Sequence, residues 1–315
     1  MDILLHTGAH RTGTTSFQHY LRANRDALLA DGTALWEPET LRPNMFSGLF
    51  QKERMQNGRN LQRRAMGRVK MHATQARRAG AERLVISEEN MIGAPRACLR
   101  AGVMYPGVGE RLARLGTAFE GRIARVVLTI RSQELWWGSV MSYAIGRGHP
   151  VPPPERRAQI AAHPRTWRDV ITDMACALPG AELIVVPFER VAGQADVLYT
   201  ALTDRAAPGI GAGVWLNRAP DLARLHREMD EAGLPREALG ATHDGRWTPF
   251  TPAEAAMLRE AYADDMMWLT AGADGLATLT EETTRDRAGP SLPGEVLTKG
   301  HEHERRPKAD MARSG

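Results

Sequence analysis

Residues 6–18 read HTGAHRTGTTSFQ and follow directly on the apolar run Ile3-Leu4-Leu5. An apolar run, a glycine-bearing turn and then Phe17 and Leu21 at helical spacing describe a buried strand, a tight loop and a helix. The expected boundaries are 2–7 for the strand, 8–14 for the loop and 15–29 for the helix, with Phe17, Leu21 and Leu28 on one face. Such a loop aims backbone N–H groups and a helix N-terminus at one point, which is an anion site. Gly8 and Gly13 keep the spacing of a nucleotide-triphosphatase loop, but Thr14 and Thr15 follow where that loop has lysine, and the cation stands at Arg11.

Further buried strands are expected at 83–87 (RLVIS), 125–130 (RVVLTI) and 182–186 (ELIVV). Continuous Val/Ile/Leu runs separated by helical segments indicate parallel strands covered on both faces. The fold class is therefore α/β, a three-layer α/β/α sandwich with a central, mainly parallel sheet and a helical C-terminal part. Helices are expected at 60–78, 220–232 and 252–269, the last announced by the capping box Thr251-Pro252-Ala253-Glu254. Residues 146–154 (GRGHPVPPP) and 243–250 read as irregular. No internal repeat is present, so residues 1–282 are read as one domain, and the polar, aperiodic stretch 283–315 as a disordered tail.

The composition, 43% hydrophobic and 25% charged in 315 residues, excludes wholesale disorder, and no run of about 18 apolar residues exists to span a bilayer. No signal-peptide pattern opens the chain, because MDILLHTGAH turns into loop after three apolar residues. A cytoplasmic protein is expected, or one in peripheral contact with a membrane surface. Cys98 and Cys176 lie far apart in no ligand spacing and are read as small buried or half-buried hydrophobes. The scattered histidines His6, His10, His19 and His149 show no zinc spacing, so no metal is expected. Net charge is +4, and the pI of about 9.3 suits an anionic ligand without identifying one; no nucleic-acid partner is inferred. The arginine-rich stretch 60–78 is most simply a solvated helix face, and its sharper reading is a surface for an anionic acceptor or membrane. Trp136 and Trp137 are read as packing a helix on the sheet, or with one ring lining a ligand pocket.

A triphosphatase also needs an acidic residue at a neighbouring strand end to hold its metal. Strand 125–130 ends instead in Arg131, and the following RSQELWWGSVMSY supplies Ser132, Ser139 and Ser142. Arginine and serine at a strand end form a metal-free phosphate site. Two such sites on neighbouring turns suit a nucleotide with phosphates at both ends.

In this pairing the chain resembles the sulfotransferase family, bacterial and carbohydrate types most closely. HTGAHRTGTTSFQHYL resembles the family's 5′-phosphosulfate loop, and ARVVLTIRSQELWWGSVMSY its 3′-phosphate motif, a strand ending in arginine with serine eight residues on, here Arg131 and Ser139. LVISEEN resembles the family's Ser-x-Glu strand end, VVPFERV its Pro-Phe-Glu strand end, and VWLNRAPDLARLHREM its late Asn-bearing segment. Together they span about residues 2–270, and the P-loop-like fold of that family agrees with the sandwich.

The resemblance implies transfer of a sulfuryl group from 3′-phosphoadenosine 5′-phosphosulfate (PAPS) to an acceptor hydroxyl or amine, leaving adenosine 3′,5′-bisphosphate (PAP), with no metal. Gly8, Ala9, Arg11, Thr12, Gly13, Thr14 and Thr15 then cradle the 5′-phosphate, Arg131 and Ser139 hold the 3′-phosphate, and Gln18 supports the loop or the acceptor side. The acceptor is a small molecule, glycan or lipid, and Glu89 or Glu88 takes its proton. An acidic pair at a strand end equally serves as the cap of the next helix. The family's loop cation is lysine; Arg11 keeps the charge but does not readily deliver a proton, a role that would fall to His10 or His6. Two other readings stand beside this one: a kinase-like phosphotransferase using Mg-ATP, and a non-catalytic nucleotide-binding relative.

Overall fold

The computed structural model describes residues 1–50, 57–240 and 245–280. Its centre is one six-stranded parallel sheet: β1 (Asp2–His6), β2 (Thr33–Trp36), β3 (Arg83–Ser87), β4 (Ile123–Ile130), β5 (Glu182–Pro187) and β6 (Thr278–Leu279). The order across the sheet is β2-β3-β1-β4-β5-β6, so β1 is central and chain direction across the sheet reverses beside it. In open α/β sheets the carboxyl ends of the strands at such a reversal form a crevice.

Because successive side chains of a strand alternate between faces, a strand apolar at every position feeds two cores. Ile3 and Leu5, Leu84 and Ile86, Val126 and Leu128 face one core. Leu4, Val85 and Val127 face the other. The larger core is closed by Gly58–Arg78, Val108–Ala118, Gln133–Ile145, Trp167–Ala177 and Pro252–Thr270, through residues such as Val69, Leu112, Trp136, Trp167 and Trp268. The smaller is closed by Thr14–Ala23, Arg25–Ala30 and Ala195–Thr203, through Phe17, Tyr20, Leu28 and Tyr199. This is the expected three-layer α/β/α sandwich.

The expected helix 15–29 is broken. It runs Thr14–Ala23, turns at Asn24 (φ −109°) and resumes as Arg25–Ala30. The Asn24 amide donates to the carbonyls of Tyr20 and Ile210, both at 2.8 Å, and so bridges the turn to a distant loop. Phe17, Leu21 and Leu28 still share one core, which is why their periodicity hides the break. Strands β2 and β6 were not expected; their four and two residues are too short to show a pattern.

Helix Leu222–Glu231 starts two residues later than read, where Asp221 accepts from Arg224 N–H at 2.7 Å. The Thr251–Glu254 capping box is formed. Cys98 is buried but Cys176 is exposed, contrary to its reading as buried or half-buried, because it falls on the outer side of helix Trp167–Ala177. Helix Gly58–Arg78 buries Gln62, Ala65, Val69 and Ala73 and exposes Arg63, Arg64, Lys70, Arg77 and Arg78, so its basic face is solvated. Among the described residues no helix is long and apolar enough to cross a membrane. The expected tail 283–315 lies outside the described residues, as do residues 243 and 244 of the expected loop 243–250.

Candidate functional site

The loop after β1 leaves the sheet gradually. Thr7 N–H donates to the Val127 carbonyl at 3.0 Å and Ala9 N–H to that of Thr129 at 2.9 Å, continuing the pairing with β4. His10 N–H then donates to the Tyr105 hydroxyl at 2.8 Å, and Thr12 returns both its N–H (3.2 Å) and its hydroxyl (2.6 Å) to the Ala9 carbonyl. The amides of Ala9, His10 and Thr12 are thus committed to holding the loop. Gly8 is required by space, since a Cβ there would lie 2.9 Å from His6 Nε2 and 3.1 Å from Thr14 Oγ1. Gly13 is required by its φ of 82°, and Arg11 adopts the left-handed region too, at 69°.

The first backbone bond of the following helix runs from Phe17 N–H to the Gly13 carbonyl, so the N–H groups of Thr14, Thr15 and Ser16 have no acceptor within it. Beside them Thr14 Oγ1 is buried without a hydrogen-bond partner.

The turn after β4 meets this loop. Arg131 is anchored by its carbonyl, which accepts from the Trp167 indole at 2.7 Å, while its guanidinium lies over the Phe188 ring at 5.1 Å. Arg131 Nη1 donates to the Arg11 carbonyl at 3.4 Å, and its Nε is buried without a partner. From helix Gln133–Ile145, Ser139 Oγ accepts from Arg11 Nε at 3.1 Å, which ties the two turns together. Arg11 Nη2 donates to the Asn217 carbonyl at 3.1 Å, and Asn217 Nδ2 donates to Thr15 Oγ1 at the same distance. Burial lowers both the Arg11 and the Arg131 guanidinium from the usual arginine value, with Arg131 and Arg147 adding repulsion on Arg11.

The acidic side of the site separates the two glutamates. Glu88 is 2% exposed, accepts both Nε and Nη2 of Arg42 at 2.8 and 2.9 Å, and caps the short turn Glu89–Met91 through Asn90 N–H at 3.0 Å. The capping reading therefore applies to Glu88. Glu89 faces the cavity and takes Arg42 Nη2 at 2.9 Å on one oxygen and Gln18 Nε2 at 3.2 Å on the other. Burial raises the Glu89 carboxyl, but a backbone N–H, His10, Arg42 and Gln18 together outweigh it and hold the group below its ordinary value.

His10 lines the cavity with its ring between Tyr105 Oη (3.0 Å from Nδ1) and Asn90 Oδ1 (3.2 Å from Nε2). With Asn90 Oδ1 as acceptor, Nε2 carries the proton and Nδ1 accepts from the tyrosine. Burial pushes this imidazole below its ordinary value, against Glu89 and Asn90. His6 is a core histidine, bonded to Ser87 Oγ at 2.8 Å and lowered by burial to about 4.

These groups converge on one cavity of about 370 Å³. Of the residues singled out from sequence, His10, Arg11, Gly13, Thr14, Thr15, Glu89, Arg131, Ser139 and Ser142 line it; Gly8, Ala9, Thr12 and Glu88 stand behind as scaffold. Its walls carry seven arginines against two glutamates, a strongly anion-seeking field. Arg42, Arg147, Arg218, Arg224 and Arg246 had not been singled out; only their abundance was visible, since four distant segments bring them together. Trp136 and Trp137 are both buried, and the Trp136 indole donates to the His10 carbonyl at 2.9 Å. Among the described residues no three His, Cys, Asp or Glu side chains converge as a metal site needs. Neither a family model, nor a curated protein, nor a solved structure matches the chain.

Proposed function

We propose that the cavity binds PAPS and that the protein transfers its sulfuryl group to an acceptor hydroxyl or amine. One observation carries the reading: Thr14 and Arg131, on adjacent strand-to-helix turns, both line a single arginine-rich cavity, and each carries a buried polar atom without a partner, Oγ1 and Nε respectively. A buried unsatisfied donor costs about 1–3 kcal/mol, so a small turn of either side chain toward an anion in the cavity would be favoured. The residues fit a nucleotide with anionic groups at both ends. The free amides of Thr14, Thr15 and Ser16 with Thr14 Oγ1 suit the 5′ side, and Arg131 with Ser139 suits the 3′-phosphate.

When bound, PAPS supplies the sulfuryl group and a phosphate leaving group. Arg11, held by Ser139 and Asn217, keeps a delocalised cation at the 5′ side, where negative charge grows on the leaving oxygen. An arginine gives this stabilisation without giving up a proton. Burial lowers the His10 imidazole, and with Asn90 Oδ1 as acceptor its Nε2 proton is already directed at Asn90. The leaving phosphate is thus stabilised by charge rather than by protonation. Glu89, ionised and facing the cavity, takes the acceptor's proton, and Glu88 is occupied by Arg42 and the turn it caps.

Isothermal titration calorimetry of the full chain with PAP tests the reading. Binding is expected in the wild type, and loss of at least tenfold in affinity in Arg131→Ala. Mg-ATP binding without PAP binding would favour the phosphotransferase reading instead. Binding of PAP without transfer of radiolabelled sulfate from PAPS to any of a panel of alcohols, phenols, sugars and amines would favour a binding protein.

A further inference from the structure

Arg42 stands between the two glutamates. It leaves the short turn Leu41–Met45 half-exposed, lines the cavity, and spends its fork on both acids at once. Nε and Nη2 engage the two oxygens of Glu88 at 2.8 and 2.9 Å, and Nη2 reaches on to Glu89 Oε1 at 2.9 Å. A two-point bond between planar groups fixes the guanidinium plane, whereas a single contact leaves it free to swing. Glu88 is itself buried and bonded to Asn90 N–H at 3.0 Å. Orientation therefore runs from the backbone to Glu88, from Glu88 to Arg42, and from Arg42 to Glu89.

We infer that Arg42 is a positioning residue: anchored by Glu88, it holds the Glu89 carboxylate ionised and turned toward the cavity. This rests on Glu89 being the proton acceptor of the proposed reaction, and it gives Glu88 a supporting place rather than an alternative one. The geometry leaves Glu89 well supplied. Oε1 meets Arg42 and Oε2 meets Gln18 Nε2, itself 3.3 Å from the Ser87 carbonyl, so the carboxylate is held at both ends. The groups that act on it electrostatically are Arg42 and His10, from the turn at Leu41–Met45 and the loop after β1. Glu88 touches the same arginine, and Arg111, whose guanidinium is bonded to the carbonyls of Asn90 and Met91, approaches from helix Val108–Ala118. Arg42 is the one cation among these in contact with Glu89, and a carboxylate that loses such a partner binds its proton more tightly.

Carboxyl-detected NMR titration of the full chain, labelled with ¹³C at glutamate, tests the clamp without a ligand or an acceptor. The Glu89 resonance is assigned by its absence from Glu89→Gln. In the wild type it is expected to titrate below the ordinary carboxylate range of about 4.3, and in Arg42→Gln at least one pH unit higher, a tenfold gain in proton affinity. Arg42→Lys keeps the charge and loses the fork, so its Glu89 is expected to lie between the two. In Glu88→Gln the Arg42 Nε–H signal is expected to exchange with water at least tenfold faster. A Glu89 titration unmoved in Arg42→Gln overturns the inference, as does an Nε–H rate unmoved in Glu88→Gln. Should Glu88→Gln fail to fold, the two Arg42 variants still decide. A moved titration in a chain that fails to bind PAP would leave the clamp standing and remove the proposed reaction.

Discussion

Position 11 holds an arginine at a φ of 69°, in a region that costs a residue with a Cβ about 1–2 kcal/mol and that glycine enters freely. The cation is kept there by Ser139, Asn217 and the Tyr143 ring 5.2 Å away, so the loop is shaped around its charge rather than around backbone comfort. Five residues earlier His6 shows the opposite economy, a titratable ring packed edge-on to Phe17 at 4.4 Å and used as core. Its burial makes stability depend on pH with a definite sign. The unfolded chain takes up this proton below about pH 6.5 and the folded chain only below about 4, so the contribution is complete above the first value and lost as pH falls through the window. The difference is worth about 3 kcal/mol. Urea denaturation at pH 7.5 and 4.5 is expected to show a smaller loss for His6→Gln than for the wild type; equal losses would mean that the ring is not held neutral.

Among the elements, helix Trp167–Ala177 reaches the site through a side chain in another helix. Asp265, buried in Pro252–Thr270, accepts from Thr166 Oγ1 (2.6 Å), Trp167 N–H (2.9 Å), Arg168 N–H (3.1 Å) and Gln133 Nε2 (2.9 Å). It thereby joins three helices, and the Trp167 it seats holds the Arg131 carbonyl. Asp265→Ala leaves those donors without their acceptor and is expected to cost about 3 kcal/mol or more, read as a lower urea midpoint. A midpoint shift under about 0.5 kcal/mol would show that water replaces the carboxylate without loss. This junction was not legible in the sequence, because 98 residues separate Asp265 from Trp167 and a lone aspartate within a helix carries no local signal. The Thr251–Glu254 cap was legible, since both partners lie three residues apart. The same division runs through the site. Gly8 to Thr15, Arg131 and Ser139 are set by two local strand-to-helix turns, and could be read. Arg42, Arg218 and Arg246 arrive from segments whose own sequence says nothing of the neighbours they meet. The break at Asn24 escaped for a third reason: its partner carbonyl at Ile210 is long-range, while the apolar spacing runs on undisturbed.

Across the whole molecule the cavity is walled by the ends of β1, β3, β4 and β5 together with residues 215–220, so that a ligand there touches segments lying between residues 10 and 246 at once. A ligand that binds only the folded chain stabilises it by about 2.7 kcal/mol at a hundredfold excess over its Kd. For a domain of this size that corresponds to a rise in Tm of about 5–10 °C, which differential scanning fluorimetry with PAP reads directly. Binding seen by calorimetry with no rise in Tm would mean that the cavity walls melt apart from the rest.

The sheet order also governs when the protein acquires its site during synthesis. Strand β1 pairs with β3 at Asp2 and Arg83 and with β4 at Ile3 and Ile123, so it leaves the ribosome 81 and 120 residues ahead of the neighbours that complete it. Until β4 emerges, the loop has neither the carbonyls of Val127 and Thr129 to pair with nor Ser139 to receive Arg11. A chain stopped before that point presents an apolar strand whose β4-facing edge is unpaired, a substrate for chaperones and proteases rather than a weaker form of the protein. Premature termination anywhere before helix Gln133–Ile145 therefore removes the whole site, however intact the quoted loop remains in the fragment.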